Sequence, residues 1–542
     1  MNTQQPGPRQ GRRPVTFRAT ATCLVIVSAF LLSTPVRSES PPRGIAPSLG
    51  PGSPATADEF PSHAKIGKRT VEEWRELIDE TWGPGLPANE QVAIFDAAWD
   101  NLDQDYGAYM NLEVDMQALH RRYRQEIRVG VSRGRFAAIM NHLSLAMKDA
   151  HTAIMSYSIN WQGRINFDTP LFVVGAWVDN STFGAALTPL PDGSLLVYRV
   201  LPNHNLGLQP GDLVLGYDGV PWKDLYQQLV AAELPIQLRW VWGSTDDSME
   251  HCMLMSAGMN WHLFDTIDIQ KYGSGEVVSL STTLLVGQQG TIWGNEQLSV
   301  PGVEMPDFIN EDYITWGVID GTQIGYIYVA GWHWQDEYLI SEQWHEALDE
   351  LMHHHETIGL IVDFRLNYGG YMLEAHDGYR LLFNERVSAV SFDLRGDPDD
   401  HLDMVPHPTF NAARFTIPGN STTYYDKPIA VLFGPGSVSN GDWESLRMGF
   451  HPMVRTFGKP TNGAFTLSDT PNLGDDWFFT KATGSGYLVE GHQYLAHTGV
   501  QPDQEVWLER DDVAAGRDTV VEAAMSWIES RWPRRPTGRL SP

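Results

Sequence analysis

The chain has 542 residues with 38 Lys and Arg against 67 Asp and Glu, which gives a formal net charge of −29. So acidic a surface repels nucleic acid and anionic lipid, and the sequence shows no basic patch that argues otherwise. The length predicts two to four domains, and 42% hydrophobic residues with 11% aromatics are typical of a globular protein with substantial cores.

Residues 1–38 are typical of an export signal peptide. Four arginines precede a mostly apolar run, Cys23 to Leu32, and small or modest residues stand at the usual cleavage positions around Ser38. The run is too short to span a membrane comfortably, and no later stretch is apolar for long enough. We therefore expect a mature protein that is periplasmic or secreted and has no membrane span.

The cysteine content excludes several kinds of site. Cys23 lies in the segment that we expect to be removed, so Cys252 is the single thiol of the mature chain. One thiol gives no intramolecular disulfide and no cysteine-based metal site. Residues 250–255 alternate like a strand, which favours a buried Cys252 over a nucleophile. The adjacent histidines 353–355 do not share one face, so no metal or other cofactor is predicted.

The next segments change from a linker to helices. Residues 39–65 are rich in Pro, Gly, Ser and Ala and predict a flexible linker. Over residues 66–160 apolar positions recur at helical spacing and predict an N-terminal helical domain. Residues Thr70-Val71-Glu72-Glu73 are typical of a helix cap and first turn. The helical pattern ends before Asp149-Ala150-His151-Thr152.

Residues 161–300 change to short β-type runs with insertions. Gly207-Leu208, Gly211-Asp212 and a hairpin turn at Asp218-Gly219 follow in the order found in PDZ domains, which this segment resembles. PDZ domains bind peptide ends by adding a strand to a sheet edge. The resemblance makes Gly207, Leu208, Gly211 and Asp212 candidates for peptide binding, and another small β-domain with the same turns is the alternative.

Residues 301–535 alternate strands and helices, which predicts an α/β domain followed by a short tail, residues 536–542. Two buried strands end in small-residue turns, Asn367-Tyr368-Gly369-Gly370 and Ser437-Val438-Ser439-Asn440. If these strands are neighbours, N–H groups at Gly369 or Gly370 and at Asn440 face one point, as an oxyanion hole requires. A serine hydroxyl beside such donors suits a nucleophile, and both Ser437 and Ser439 are candidates.

The order of the motifs resembles the serine peptidase family of the C-terminal-processing and tricorn-core peptidases. The motifs are Asp-x-His-Thr, the PDZ-like segment, Asp-x-Arg-x-Asn-x-Gly-Gly, the serine turn and Gly499-Val500-Gln501-Pro502-Asp503, over roughly residues 90–530. The resemblance implies a crotonase- or ClpP-like β-α core with Ser439 as nucleophile. It also implies that the backbones of Gly369, Gly370 and Asn440 supply the oxyanion donors.

The resemblance also bears on the catalytic base. The C-terminal-processing branch uses a Lys about 25 residues after the Ser, where this chain has Ala464. Lys459 is near but falls at an ordinary turn position. His151 matches the base of the tricorn-like branch, so that a Ser439–His151 pair is favoured over a Ser–Lys dyad.

The group that orients His151 is left open by the sequence. The tricorn-like branch has an acid just before its last motif, but residues 496–498 here are Ala, His and Thr. Glu490, Asp442 and Glu444 are the candidates, and His497 is a possible site residue.

Three functions follow from these observations. The first is an exported serine peptidase that hydrolyses proteins or peptides, with the PDZ-like segment holding the substrate tail or gating the site. The second, prompted by Ala464 and Ala496, is a catalytically degenerate protein that binds peptides or other ligands on the same fold. The third is a secreted esterase with the same Ser–His pair.

Overall fold

The computed structural model describes residues 65–161, 165–175, 183–238, 242–288, 292, 296–306, 313–333, 339–422 and 424–531. The expected signal peptide, nearly all of the expected linker and the expected tail lie outside these residues. Within them, no helix is both long and apolar enough to cross a membrane.

The first part of the chain is mainly helical. Its elements are β1 (Lys65–Ile66), β2 (Arg69–Thr70), α1 (Val71–Trp82), α2 (Ala88–Asp105), α3 (Met116–Ile127), α4 (Arg133–Leu145) and β3 (Ala153–Ser156). The expected cap of α1 is present as a capping box. Thr70 Oγ1 accepts a hydrogen bond from the Glu73 N–H at 3.2 Å, and Glu73 Oε2 accepts one from the Thr70 N–H at 2.6 Å.

The second part is rich in strands. Its elements are β4 (Phe172–Val174), β5 (Ala185–Pro189), β6 (Leu195–Val200), β7 (Leu213–Tyr217), β8 (Val220–Pro221), α5 (Trp222–Ala231), β9 (Ile236–Leu238), α6 (Asp246–Met255), β10 (Thr266–Gln270) and β11 (Val277–Ser281). One sheet has the order β11-β10-β7-β6-β5, with β8 on β7. Asp218 and Gly219, at φ 52° and 76°, form the expected two-residue hairpin turn.

The third part alternates strands and helices. Its elements are β12 (Ile314–Val318), β13 (Ile324–Val329), α7 (Ile340–Asp349), β14 (Gly359–Asp363), α8 (His376–Leu382), β15 (Val390–Arg395), β16 (Met404–Pro406), β17 (Ile429–Phe433), α9 (Asn440–Met448), β18 (Val454–Gly458), β19 (Thr466–Asp469), β20 (Trp477–Leu488), β21 (Gln493–Tyr494), β22 (Gln504–Glu505), α10 (Arg510–Ala514) and α11 (Thr519–Arg531). The expected mixed α/β fold is confirmed.

Two sheets position the candidate site. The first has the order β12-β13-β14-β17-β18-β22 and is parallel from β13 to β22. Because β14 and β17 are neighbours, the two turns singled out in the sequence leave the same edge of this sheet, as predicted. The second sheet has the order β16-β15-β20-β19, and β3 pairs with β20. That pairing fixes the segment after His151 to the α/β part of the chain.

The helices before His151 do not share one core. Trp74 and Ile78 of α1 are fully buried against the strand-rich second part, whose cluster includes Leu225. By contrast, α2, α3 and α4 pack in a cluster with Phe479 and Ala482 of β20. The loop that carries His151 therefore lies where all three parts of the chain meet.

One local expectation was wrong. Residues 250–255 belong to the helix α6 and do not form a strand. Cys252 is buried as expected, with none of its side chain exposed, and burial raises the pKa of its thiol. A thiol that resists ionisation is a poor nucleophile.

Candidate active site

Ser439 lies on the turn between β17 and α9 in a backbone conformation that few residues adopt. Its φ is 57° and its ψ is −119°, and it is the N-cap residue of α9. Positive φ at a residue other than glycine costs free energy and is concentrated at functional sites. Within the described part of the chain, the half-buried Ser439 hydroxyl makes no hydrogen bond. By contrast, the fully buried Ser437 donates to the Phe364 carbonyl at 2.8 Å.

The Gly369-Gly370 turn lies directly against Ser439. A Cβ atom placed on Gly369 would lie 2.7 Å from Ser439 Cβ and 3.1 Å from its Oγ, and Gly369 has a φ of +96°. The two turns are also joined by a hydrogen bond from the Val438 N–H to the Asn367 carbonyl at 2.9 Å. Only glycine fits at 369, because a side chain would meet both the strained backbone conformation and Ser439.

The backbone donors beside Ser439 differ in whether they already have an acceptor. The Gly369 N–H is already bonded to Asn367 Oδ1 at 3.0 Å. The N–H groups of Gly370 and Asn440 have no acceptor among the described residues. Of the two glycine donors considered from sequence, Gly370 is thus the one whose N–H is left for an oxyanion.

The Asp-x-Arg part of the upstream motif is structural. Arg365 is buried and donates to Asp363 Oδ2 at 2.6 Å and to both carboxylate oxygens of Asp518, at 3.1 and 3.0 Å. Asp518 in turn accepts the Val520 N–H at the start of α11. A buried ion pair of this kind is stable only when its hydrogen bonds are satisfied. The network therefore anchors the end of β14, from which the Gly369-Gly370 turn departs.

His151 contacts the hydroxyl of Thr466, which in turn contacts the carboxylate of Asp149. His151 Nδ1 lies 2.6 Å from Thr466 Oγ1, and Thr466 Oγ1 lies 3.4 Å from Asp149 Oδ1. Because an ionised carboxylate only accepts, the Thr466 hydroxyl donates to Asp149 and accepts from the Nδ1–H of His151. This tautomer leaves His151 Nε2 with a free lone pair, which is the state that a general base requires.

The neutral state of His151 is favoured by its surroundings. Burial lowers the pKa of His151 below its ordinary value of 6.5, and the Asp149 carboxylate opposes that shift. Asp149 is fully buried and also accepts the His151 N–H at 3.2 Å and the Thr152 hydroxyl at 2.7 Å. These bonds fix the carboxylate that Thr466 contacts.

Asp442 connects the Thr466 strand to the serine turn. Its carboxylate accepts the Gly463 N–H at 2.7 Å and the Ala464 N–H at 3.0 Å, two residues before Thr466. It also accepts a hydrogen bond from the backbone of Ser439. Burial nevertheless raises the pKa of Asp442 to about 7. Asp442 thus ties the segment that contacts His151 to the N-terminus of α9.

The three acids that the sequence offered as orienting groups for His151 have other partners or lie at the surface. Glu444 is buried between the Tyr379 hydroxyl and Arg447 Nη1, Asp442 binds backbone N–H groups, and Glu490 is exposed. Among the described contacts, none of the three joins His151. The contacts of Thr466 with His151 and Asp149 were not expected from the sequence, although Asp149 lies in the same four-residue motif as His151.

The side chains of His497 and Lys459 contact groups other than Ser439. His497 Nδ1 lies 2.8 Å from the Lys148 carbonyl, and its Nε2 lies 2.9 Å from the Ala108 carbonyl, so that it fastens the loop before His151 to the end of α2. Lys459 lies over the Trp507 ring, 5.0 Å from the centroid, and burial lowers its pKa. Neither has a described contact with Ser439, and no group of three or more His, Cys, Asp or Glu in the described residues is arranged for a metal ion.

The four residues expected to bind peptide in the PDZ-like segment shape a turn. Leu208 is 5% exposed, and Gly207 and Gly211 have φ of 60° and 96°. Asp212 accepts the Tyr272 N–H at 2.9 Å and pairs with Lys271. These contacts close the turn before β7.

The strand-rich part also contacts both halves of the candidate site. Ser244 Oγ accepts the Ala150 N–H at 2.9 Å, next to His151. Ser248 Oγ donates to the Asn462 carbonyl at 2.9 Å, and the Asn462 N–H donates to the Ser437 carbonyl at 3.1 Å. A displacement of the start of α6 and the loop before it would therefore move the serine turn and the histidine loop together.

Residues 323–506 match the sequence profile of peptidase family S41. No curated protein matches the chain. The crystal structure of mature CPAF is similar in fold, with 13% identity and a TM-score of 0.59 over 82% of this chain and 97% of that one. The structure of mature CPAF complexed with lactacystin is also similar, with 12% identity and a TM-score of 0.57 over 82% of this chain and 98% of that one. The matched segment contains Ser439 and Thr466, whereas His151 and Asp149 precede it.

Proposed function

We propose that Ser439 is the nucleophile of a serine-type peptidase and that His151 is its general base, and the match of residues 323–506 to peptidase family S41 supports this proposal. This assignment rests on the Ser439 hydroxyl, which makes no hydrogen bond to any described residue, and on the neighbouring N–H groups of Gly370 and Asn440, which have no acceptor there. A nucleophile needs donors placed where the oxyanion forms, and these donors are held by a rigid sheet edge.

The proposed reaction uses these groups in turn. Ser439 Oγ attacks the scissile carbonyl carbon while its proton passes to His151 Nε2. The N–H groups of Gly370 and Asn440 stabilise the oxyanion. His151 then returns the proton to the leaving amine, and water hydrolyses the acyl-enzyme by the same steps in reverse.

We further propose that Asp149, acting through Thr466, is the acidic group that orients His151. The hydroxyl of Thr466 receives the Nδ1–H bond that a carboxylate receives in a Ser-His-Asp triad. The negative charge of Asp149 stabilises the imidazolium that forms during attack, as its upward influence on the pKa of His151 indicates. This arrangement supports activity despite Ala496, where the tricorn-like branch has an acid.

The proposed substrates are proteins or peptides outside the cytoplasm. Residues 1–38 support export, and the PDZ-like turn at 207–212 supports a role in holding the substrate tail or gating the site. The contacts of Ser244 and Ser248 offer a route by which that part can act on the serine turn.

The experiment is hydrolysis of an unfolded protein by single variants. We expect Ser439→Ala and His151→Ala each to lower kcat by at least about 10³-fold, as loss of a triad member does elsewhere. Ser274→Ala and His354→Ala, at exposed positions remote from the site, serve as matched controls. Full activity of either site variant sinks the assignment of that residue, and turnover of small esters without peptides favours an esterase.

A further inference from the structure

A basic cavity lies on one side of α8, although the chain as a whole is strongly acidic. It has a volume of about 520 Å³, and its lining includes Arg380, Arg386, Arg414 and His376. Among the described residues, no Asp or Glu lines it. The basic residues come from α8 and from the segments after it, so that no run of charge marks the cavity in the sequence. In a chain of formal net charge −29, such a concentration of arginines creates a local field opposite to that of the surrounding surface.

The three arginines differ in whether a carboxylate already pairs with them. Within the described part of the chain, neither Arg386 nor Arg414 forms a hydrogen bond or an ion pair through its side chain. Arg414 lies over the Phe410 ring at 5.1 Å from the centroid, which restricts the guanidinium without neutralising it. Arg380 pairs with Asp377. The cavity therefore retains positive charge that a bound anion can neutralise.

His376 adds a buried polar atom to the lining of the cavity. Within the described residues, its Nε2 has no hydrogen-bond partner. Burial, helped by Arg447 and Arg380, lowers the pKa of His376 to about 3. The imidazole is thus neutral at physiological pH and has a ring nitrogen left over for a ligand.

The segment that leads from the Ser439 turn to the cavity is short. Asn440 Nδ2 donates to the Tyr371 carbonyl at 2.9 Å, so the chain leaves the Ser439 turn at residue 371 and enters α8 at His376. The six residues from Tyr371 to His376 span at most about 20 Å. An extended peptide of about six residues covers the same distance.

We propose that this cavity binds a carboxylate of the peptide substrate, a few residues from the bond that is cleaved. Arg386 and Arg414 supply planar, paired N–H donors that match a carboxylate. The proposal rests on the proposed peptidase function, since it places the cavity along the substrate. The carboxylate is either the free C-terminus or an acidic side chain, which have the same chemistry.

Binding is tested separately from catalysis with the Ser439→Ala protein. Three fluorescent peptides of one core sequence are compared by anisotropy: one with a free C-terminus and no acidic residue, one amidated and neutral, and one amidated with an internal Glu. We expect at least one carboxylate peptide to bind about tenfold more tightly than the neutral one, at low salt. The peptide that does so identifies the source of the carboxylate. Equal affinity for all three overturns the proposal.

The cavity is then tested with the double variant Arg386→Gln/Arg414→Gln, and Arg121→Gln on the exposed face of α3 is the matched control. We expect the double variant to lose the tenfold preference and, in active protein, to raise KM for the carboxylate peptide about tenfold with kcat unchanged. An unaltered preference in the double variant overturns the proposal. If the active protein cleaves no peptide, the proposed function fails, whereas the anisotropy comparison still decides the cavity.

Discussion

The substitution Thr466→Val removes the hydroxyl oxygen that connects His151 to Asp149 through hydrogen bonds. The side chain of Thr466 is 5% exposed, and its hydroxyl lies 2.6 Å from His151 Nδ1 and 3.4 Å from Asp149 Oδ1. Valine keeps the shape of the side chain and replaces the hydroxyl by a methyl group. His151 Nδ1–H then faces an apolar group, and the imidazole is free to adopt the tautomer that lacks a lone pair on Nε2.

The magnitude follows from the cost of one unsatisfied buried donor. Leaving such a donor without an acceptor costs about 1–3 kcal/mol. At about 1.4 kcal/mol for each factor of ten, this lowers kcat/KM roughly 5- to 150-fold. The effect falls mainly on kcat, because the imidazolium of the transition state donates its Nδ1–H bond more strongly than the neutral ring.

The assay is peptide hydrolysis with kcat and KM determined separately, alongside thermal unfolding to confirm that the variant is folded. Thr466→Ser keeps the hydroxyl and is the matched control, expected within about threefold of the wild type. A folded Thr466→Val protein with wild-type kcat would refute the claim that Thr466 orients His151.

Three other predictions concern the same site. Asp149→Asn removes the charge that raises the pKa of His151. We therefore expect the acidic limb of the pH profile of kcat/KM, already below pH 6.5, to move to lower pH and the plateau to fall. A limb that moves to higher pH would contradict the expected direction of the pKa shift. Gly369→Ala places a Cβ 2.7 Å from Ser439 Cβ at a residue with a φ of +96°. We expect hydrolysis to be lost while the midpoint of thermal unfolding falls by only a few degrees. Retained hydrolysis would exclude the close contact between residue 369 and Ser439. Burial raises the pKa of Asp442 from 3.8 to about 7, so its contribution to folding is complete below pH 3.8 and is lost as the pH rises through about 7. At about 1.4 kcal/mol per pKa unit, that contribution is at most about 4 kcal/mol. The free energy of unfolding in urea should therefore vary less between pH 4 and pH 8 for Asp442→Asn than for the wild type. An equal variation in the two proteins would contradict this prediction.

The neighbouring positions of the two turns could be predicted because they depend on local pattern and a general rule. Buried strands followed by Gly- and Ser-rich turns predicted an α/β sheet, and parallel strands end at one edge. The pairing of β14 with β17 confirms this expectation. The choice between Gly369 and Gly370 could not be made, since it depends on whether Asn367 Oδ1 takes the Gly369 N–H.

The contact of Thr466 with His151 could not be predicted from sequence. It joins residues 315 positions apart and depends on how β3 pairs with β20. The signal that was available is the acid two residues before His151, but Asp149 reaches His151 through a hydroxyl on β19, far away in the sequence. A residue pattern indicates direct partners, whereas an intermediate hydroxyl of this kind is apparent only in the three-dimensional structure.

The wrong expectation for residues 250–255 has a physical cause. The helix α6 is buried on nearly every side from Ser248 to Met255, so that it shows no polar stripe with a period of 3.6 residues. Its capping box, in which the Thr245 side chain accepts from the Ser248 N–H, was the overlooked sign of a helix.

The central claim is that Ser439 is a nucleophile activated by His151, and labelling with a fluorophosphonate tests it most directly. We expect mass spectrometry to find the label on Ser439, and expect His151→Ala to slow labelling at least about 100-fold while His354→Ala leaves the rate unchanged. A label on another residue, or a rate that His151→Ala does not alter, would contradict the account.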